Sequence, residues 1–181
     1  MKIYDCSSIS AVKVIEAFDS ADVRGGFTKF YHEDDFQAAG IDFGIKEIYY
    51  SVSARNVIRG MHFQLPPYDH AKLVHVIAGR VIDAVVDLRK GSDTYGKYVT
   101  FILDGKIKQA IYIPRGFAHG FKALEDNTVM QYCVSSVYNK DADSGIRYDS
   151  IGLDWGTQEA IVSDRDKSFI SLAEFHTPFR V

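Results

Sequence analysis

The stretch "KLVHVIAGRVIDAVVDL" (Lys72–Leu88) holds two apolar runs of strand length on either side of one glycine. Ala78-Gly79-Arg80 is the turn signal between them. In the first run Lys72, Val74 and Val76 share a face. In the second, Val81, Asp83, Val85 and Asp87 share a face, opposite Ile82, Ala84, Val86 and Leu88. Both runs read as strands, and each carries charge on a face that is otherwise apolar.

The same reading extends outward. "VKVIEAF" (Val12–Phe18), "KEIYYSVS" (Lys46–Ser53), "GKYVTFIL" (Gly96–Leu103), "KQAIYIP" (Lys108–Pro114) and "TVMQYCVSSVY" (Thr128–Tyr138) alternate or run apolar over strand length. Turn signals such as "KGSDTYG", "LDGK" and "EDNT" separate them. Many short strands with turns between them argue for an all-β sandwich or barrel. Helix is scarce. "HEDDFQAAG" (His32–Gly40) reads as a short helix ending at Gly40, and the segment from about Ser163 as a short helix and tail outside the barrel.

Composition narrows the function. The 181 residues suit a single domain, 1–181, with a real core. A formal net charge of −3 gives no reason to expect nucleic acid or an anionic membrane as partner. No apolar run is long enough to span a bilayer, and "MKIYDCSSIS" lacks the apolar core of a signal peptide, so a cytoplasmic location is expected. Cys6 and Cys133, the two cysteines, read as buried thiols rather than a disulfide framework or a zinc site.

"NVIRGMHFQLPP" (Asn56–Pro67) sharpens the polar-face argument. Asn56 to Met61 reads as a strand, continued with His62 and Gln64 on one face and Met61 and Phe63 on the other. In "VMQYCV", Met130, Tyr132 and Val134 share a face. If two sheets curl together, His62, Gln64, Lys72, Asp83 and Tyr132 are expected to meet in a cavity. The alternative is a solvated sheet face.

"PRGFAHGF" (Pro114–Phe121) is more specific. Pro114, Gly116 and His119 read as a Pro-x-Gly-x-x-His loop that turns the histidine back into the barrel mouth. This resembles the second half of the cupin motif. Metal-binding cupins have two closely spaced histidines and a glutamate in the first half. Here Gln64 stands in place of the second histidine, with no glutamate at the expected spacing. An amide is a poor substitute for imidazole, so no metal cofactor is expected.

Taken together, the chain resembles the dTDP-4-dehydrorhamnose 3,5-epimerases, metal-free cupins acting on nucleotide-linked 4-keto sugars. The resemblance runs from about Asp22 to Asp166. It rests on the order and spacing of "VRGGFTKF", "NVIRGMHFQ", "AKLVHVIAGRVIDAVVDLRKGSDTYGKYV", "IYIPRGFAHGF", "QYCVSSVYN", "GIRYDSIGLDW" and "VSDRD". It implies a cupin-type antiparallel β-barrel (jelly roll) with short peripheral helices. It also implies a homodimer in which the N-terminal strand and "RGGF" region cross to the neighbouring subunit, so that Arg24 serves the partner's site.

The chemistry explains why these residues are wanted. A ketone at C4 acidifies the hydrogens on C3 and C5. Inversion needs a base on one ring face, a stabiliser for the enolate, and an acid on the other face. The resemblance implies that His62 is the base, Asp166 its orienting carboxylate, Lys72 the oxyanion neighbour and Tyr132 the acid. It places His119, Asp83 and Tyr138 in the same site, as substrate contacts and hydrogen-bond support. Arg24 and Arg59 match phosphate ligands, and Phe27 a ring that stacks on the base. Gln64 shares the cavity face with His62. His32, His70, His75 and His176 have no motif around them and read as surface or packing residues; Asp87 reads as structural.

Two departures bear on the nucleotide. Lys29 stands where the family commonly has glutamate, and Glu47-Ile48-Tyr49 where it usually has a Gln-Asp-Asn run. A lysine donor cannot pair with the thymine N3 hydrogen. Guanine offers both acceptors and donors, which suits Lys29 with Glu47. A GDP-linked 4-keto-6-deoxy sugar, such as a heptose bound for a surface polysaccharide, is therefore the expected substrate, with the dTDP-linked rhamnose precursor as the alternative. A 4-keto-sugar isomerase, a non-catalytic sugar-nucleotide binder and a metal-dependent cupin oxygenase or isomerase are the remaining readings. The pairing of a base with an opposed acid favours catalysis over binding alone.

Overall fold

A computed structural model describes all 181 residues. The elements run β1 (Lys2–Asp5), β2 (Lys13–Glu16), β3 (Phe18–Asp22), β4 (Gly25–Lys29), α1 (Glu33–Ala38), β5 (Glu47–Ser53) and β6 (Ile58–Gln64). They continue with β7 (Lys72–Ala78), β8 (Arg80–Asp87), β9 (Tyr98–Asp104), β10 (Gln109–Ile113), β11 (Phe117–Ala123), β12 (Thr128–Val134), β13 (Asp143–Gly145) and α2 (Asp164–Lys167).

Eleven of the strands form two antiparallel sheets, in the orders β1-β2-β10-β7-β12-β5 and β13-β6-β11-β8-β9; β3 and β4 form a separate ribbon. The two strands of Lys72–Leu88 divide between the sheets. Gly79 takes the corner at a φ of 80°, and a Cβ there would collide with Thr128. The sheets face each other as the expected cupin-type barrel, with both helices outside.

Inward faces from both sheets bury Val74, Val76, Val81, Val85, Ile111, Phe121 and Met130 in one cluster. Each such side chain contributes about 1.5–3 kcal/mol by leaving water. The same faces carry His62, Lys72, His119 and Tyr132, so the apolar fill stops short and leaves a cavity. Behind the second sheet, Ile151, Trp155 and Phe179 of the C-terminal segment cover Ile58, Met61 and Phe63. Behind the first, Phe36 of α1 packs with Phe43 against Leu73, Tyr112 and Cys133. Cys6 and Cys133 are both buried and free.

Strand β6 carries the irregularity on which the site depends. Against β11 it pairs His62 with His119 but Arg59 with Phe121, so three residues of β6 span two of β11. This is a β-bulge, and it shifts the alternation by one. Arg59 and His62, three apart, both line the cavity as a result. Gly60 sits in the bulge at a φ of 136°, and a Cβ on it would lie 2.5 Å from the Gly120 Cα and 3.0 Å from the His119 carbonyl oxygen.

Two expectations change. The Pro-x-Gly-x-x-His segment is a tight turn at Gly116 followed directly by β11, so His119 stands on a strand and not in a loop. The β1 strand and the β3–β4 ribbon were not marked by apolar alternation. The ribbon is exposed along nearly its whole length and has no buried face to leave such a pattern.

Replacing Gly60 with alanine would force a side chain into this close approach and into a backbone region L-residues avoid. Gly60→Ala should lower the unfolding free energy by at least about 1–3 kcal/mol. A urea midpoint equal to that of the parent would show that the approach of β6 to β11 is not required.

Candidate active site

Between the sheets lies a cavity of about 360 Å³, a size suited to a small ligand. His62 lies in its wall on β6. Its Nε2 is 2.8 Å from Asp166 Oδ1, and the Gly60 N–H donates to Asp166 Oδ2 at 3.0 Å. Ser163 caps α2 by accepting from the Asp166 N–H at 3.1 Å, which fixes the backbone that carries the carboxylate. The Nε2 proton is thus committed to Asp166, and Nδ1 carries the lone pair.

The charges follow from burial and partners. Burial pulls His62 below its ordinary range, against the opposing pull of Asp166, and Lys72 and Arg165 add to the lowering. Burial works to raise Asp166, but the bonds from His62 and Gly60 outweigh it and leave the carboxyl below its ordinary value. A neutral imidazole beside a carboxylate is the arrangement of a poised base.

Lys72 is buried, and its Nζ donates to the His62 carbonyl oxygen at 3.0 Å. Burial brings its ammonium down to about 8, while Asp143 and Asp83 favour the charged form. Tyr132 on β12 is also buried; its hydroxyl is 3.3 Å from Ser51 Oγ, and burial raises the phenol far above its ordinary value. His119 pairs with Asp83 Oδ2 at 2.7 Å.

Four of the five residues expected to meet do so: His62, Gln64, Lys72 and Tyr132 line one cavity. Asp83 does not. It is fully buried behind His119, and its Oδ1 has no hydrogen-bond partner. Gln64 lines the wall with its amide committed to the chain: Oε1 accepts from the Asn139 N–H at 2.7 Å and Nε2 donates to the Tyr68 carbonyl at 2.8 Å. Arg59 is held by Ser53 Oγ and the Val52 carbonyl, neither of which neutralises its charge. Glu47 and Tyr138 meet at the mouth, where Glu47 Oε2 accepts from the Tyr138 N–H at 2.7 Å. Asp87 binds Arg89, Ser92 and Thr94 and is structural.

Arg24, Phe27 and Lys29 lie on the exposed ribbon, outside this cavity. Arg24 is paired with Asp22 there, and Phe27 is 57% exposed. Within one chain Lys29 therefore does not join Glu47.

Several lining residues had not been singled out. Tyr49 and Ser51 share the inward face of β5 with Glu47, so strict alternation from Glu47 was the available signal. Asp143 and Arg165 form a 2.7 Å ion pair across the rim. His70, read as a surface or packing residue, instead lines the cavity; its Nδ1 is 3.2 Å from Gln64 Nε2, and burial lowers it to about 3. His75 does pack, stacked 3.9 Å from Phe30, while His32 and His176 are exposed. No three histidine, cysteine, aspartate or glutamate side chains converge in the geometry of a metal site.

Known proteins resemble this chain over most of its length. The family model described as dTDP-4-dehydrorhamnose 3,5-epimerase matches residues 7–174. The chain is 38% identical over 173 residues to the dTDP-4-dehydrorhamnose 3,5-epimerase of Methanothermobacter thermautotrophicus, covering 93% of each chain. It is 37% identical over 169 residues to the dTDP-4-dehydrorhamnose 3-epimerase of Streptomyces niveus, covering 92% of this chain and 82% of that one. Among solved structures, the dTDP-6-deoxy-D-glucose-3,5-epimerase of Legionella pneumophila in complex with dTDP-4-keto-L-rhamnose superposes with a TM-score of 0.91. Its identity is 31%, over 96% of this chain and 94% of that one. The chain belongs to the dTDP-4-dehydrorhamnose 3,5-epimerase family of nucleotide-sugar epimerases.

Proposed function

We propose that this protein, working as one epimerase domain, inverts C3, C5 or both in a dTDP-linked 4-keto-6-deoxy sugar. The observation that carries the reading is the His62–Asp166 pair, a neutral imidazole held by a carboxylate on a cavity wall that also bears Lys72 and Tyr132. Nδ1 of His62 takes the proton α to the ketone. The electron pair moves onto the C4 oxygen, where the Lys72 ammonium stabilises the enolate. Tyr132 returns a proton to the same carbon from the opposite face, and solvent restores both residues. Arg59 supplies a cationic fork suited to the diphosphate. Tyr138 and Glu47 stand at the mouth, where the base would enter.

Thymine is favoured over guanine as the base. The guanine reading needed Lys29 beside Glu47, and within one chain Lys29 is outside the cavity, so only a partner subunit's ribbon could bring it there. The relatives above are named for dTDP-linked sugars, and one was solved with a dTDP-linked keto sugar bound. Deuterium uptake from heavy water into dTDP- and GDP-linked 4-keto-6-deoxy sugars tests substrate and chemistry together. The dTDP compound should exchange at C3, C5 or both, and His62→Asn should reduce exchange by about 10²–10⁴-fold. Faster exchange with the GDP compound would restore guanine, and undiminished exchange in His62→Asn would remove His62 as the base.

The pH profile follows from two groups. His62 must be neutral to accept a proton, so activity rises as pH passes its value, below the ordinary histidine range. Lys72 must be charged, so activity falls as pH rises through about 8. A bell with its alkaline limb near 8 is expected for kcat/KM. A flat profile from pH 6 to 10 would contradict the role of Lys72.

We also propose a homodimer. The outward face of the first sheet exposes Ile48, Tyr50, Val52 and Ile77, and the ribbon exposes Phe18, Val23 and Phe27. Large apolar side chains exposed on both elements suit a protein–protein interface. Light scattering at micromolar concentration should give twice the chain mass, and a monomer would count against the proposal.

A further inference from the structure

Of the proposed reacting groups, Tyr132 is the one held by neither an ion pair nor a hydrogen bond of ordinary length. Its hydroxyl has a single partner, Ser51, at a long 3.3 Å, and His119 meets its ring edge-on at 6.1 Å and 72°. The close contact is with Tyr49. Tyr49 on β5 lies directly opposite Tyr132 on β12, and the rings stack with centroids 4.8 Å apart and planes 17° apart. Directly opposed cross-strand residues on one face are the closest side-chain neighbours a sheet provides, and an aromatic pair there resists rotation of either ring. Tyr49 is 41% exposed while Tyr132 is 8% exposed, so Tyr49 stands between the acid and solvent. The Tyr49 phenol is itself raised to about 12 by burial, first, and then by Glu47 and Asp143, so it stays neutral and adds no charge beside Tyr132.

We propose that Tyr49 is a positioning residue for Tyr132: its stacked ring holds the proton donor in one pose and so sets how often an enolate is protonated on the inverting face. The inference rests on the proposed epimerase chemistry. An enolate has two fates in this cavity. Tyr132 donates to the far face and the carbon inverts, or the His62 imidazolium returns its proton to the near face and the configuration is retained. Both routes leave solvent deuterium at the carbon, because the His62 proton exchanges with water while it is held. The ratio of inversion to exchange therefore reads the pose of Tyr132 separately from the action of His62.

The test uses a dTDP-linked 4-keto-6-deoxyhexose in heavy water with the full-length enzyme, Tyr49→Phe and Tyr49→Ala. Tyr49→Phe keeps the stack and should match the parent in inversion and exchange within about twofold. Tyr49→Ala removes it. Inversion should fall about two- to twelvefold, the range that a stacking contact is worth, with KM within twofold and total exchange unchanged. Equal inversion-to-exchange ratios in Tyr49→Ala and the parent would overturn the inference, as would a Tyr49→Phe variant as impaired as Tyr49→Ala. A parent enzyme that exchanges no deuterium would overturn the epimerase reading and this inference with it.

Discussion

The extra residue in β6 organises the cavity. A regular strand would turn Arg59 away from the face that carries His62; the bulge at Gly60 turns both inward. The same residue presents its N–H to Asp166, which lies 106 positions later in the chain and on a different element. One backbone irregularity thus aims a cation, aims an imidazole and anchors the carboxylate that orients it. The approach to Gly120 leaves no room for a side chain at Gly60, so glycine is a requirement of packing as well as of dihedral angle.

Two histidine–carboxylate pairs stand side by side on β6 and β11, and their surroundings separate their roles. Asp166 accepts from His62 and from a backbone N–H, and its carboxyl is pulled down. Asp83 has only His119, keeps one oxygen without a partner, and is pushed up by burial. A carboxylate with its charge supported by several donors stabilises an imidazolium best. The proposed base is accordingly His62, while His119 stands in the cavity wall with Asp83 buried behind it. Lys72 completes the balance: its charge suits an oxyanion, and it also holds His62 toward the neutral form.

Much of the barrel was legible because strand alternation is a direct record of burial. The runs around Lys72–Leu88, Lys46–Ser53 and Thr128–Tyr138 became β7, β8, β5 and β12, the last ending at Val134, four residues short of Tyr138. Four of five inward polar residues were legible for the same reason. The exceptions have physical causes. Asp83 has the right parity but lies behind His119, and depth within a layer leaves no mark on alternation. Arg59 has the wrong parity for a regular strand and faces inward only because of the bulge. Tyr49 and Ser51 had the right parity and were passed over beside Glu47. His70 lies on a connection, where no period applies, and its place in the wall emerges only when the chain closes around Gln64. Lys29 was expected beside Glu47, but its ribbon stands apart from the cavity of its own chain.

The central claim is that His62 rests as a neutral base with its proton on Nε2, directed at Asp166. Nitrogen-15 NMR of the histidine-labelled enzyme at pH 7 reads protonation and tautomer together. The geometry predicts a protonated Nε2 and an unprotonated Nδ1 for His62, with that preference lost in Asp166→Ala. A His62 imidazolium at pH 7, or a neutral ring carrying its proton on Nδ1, would contradict the account.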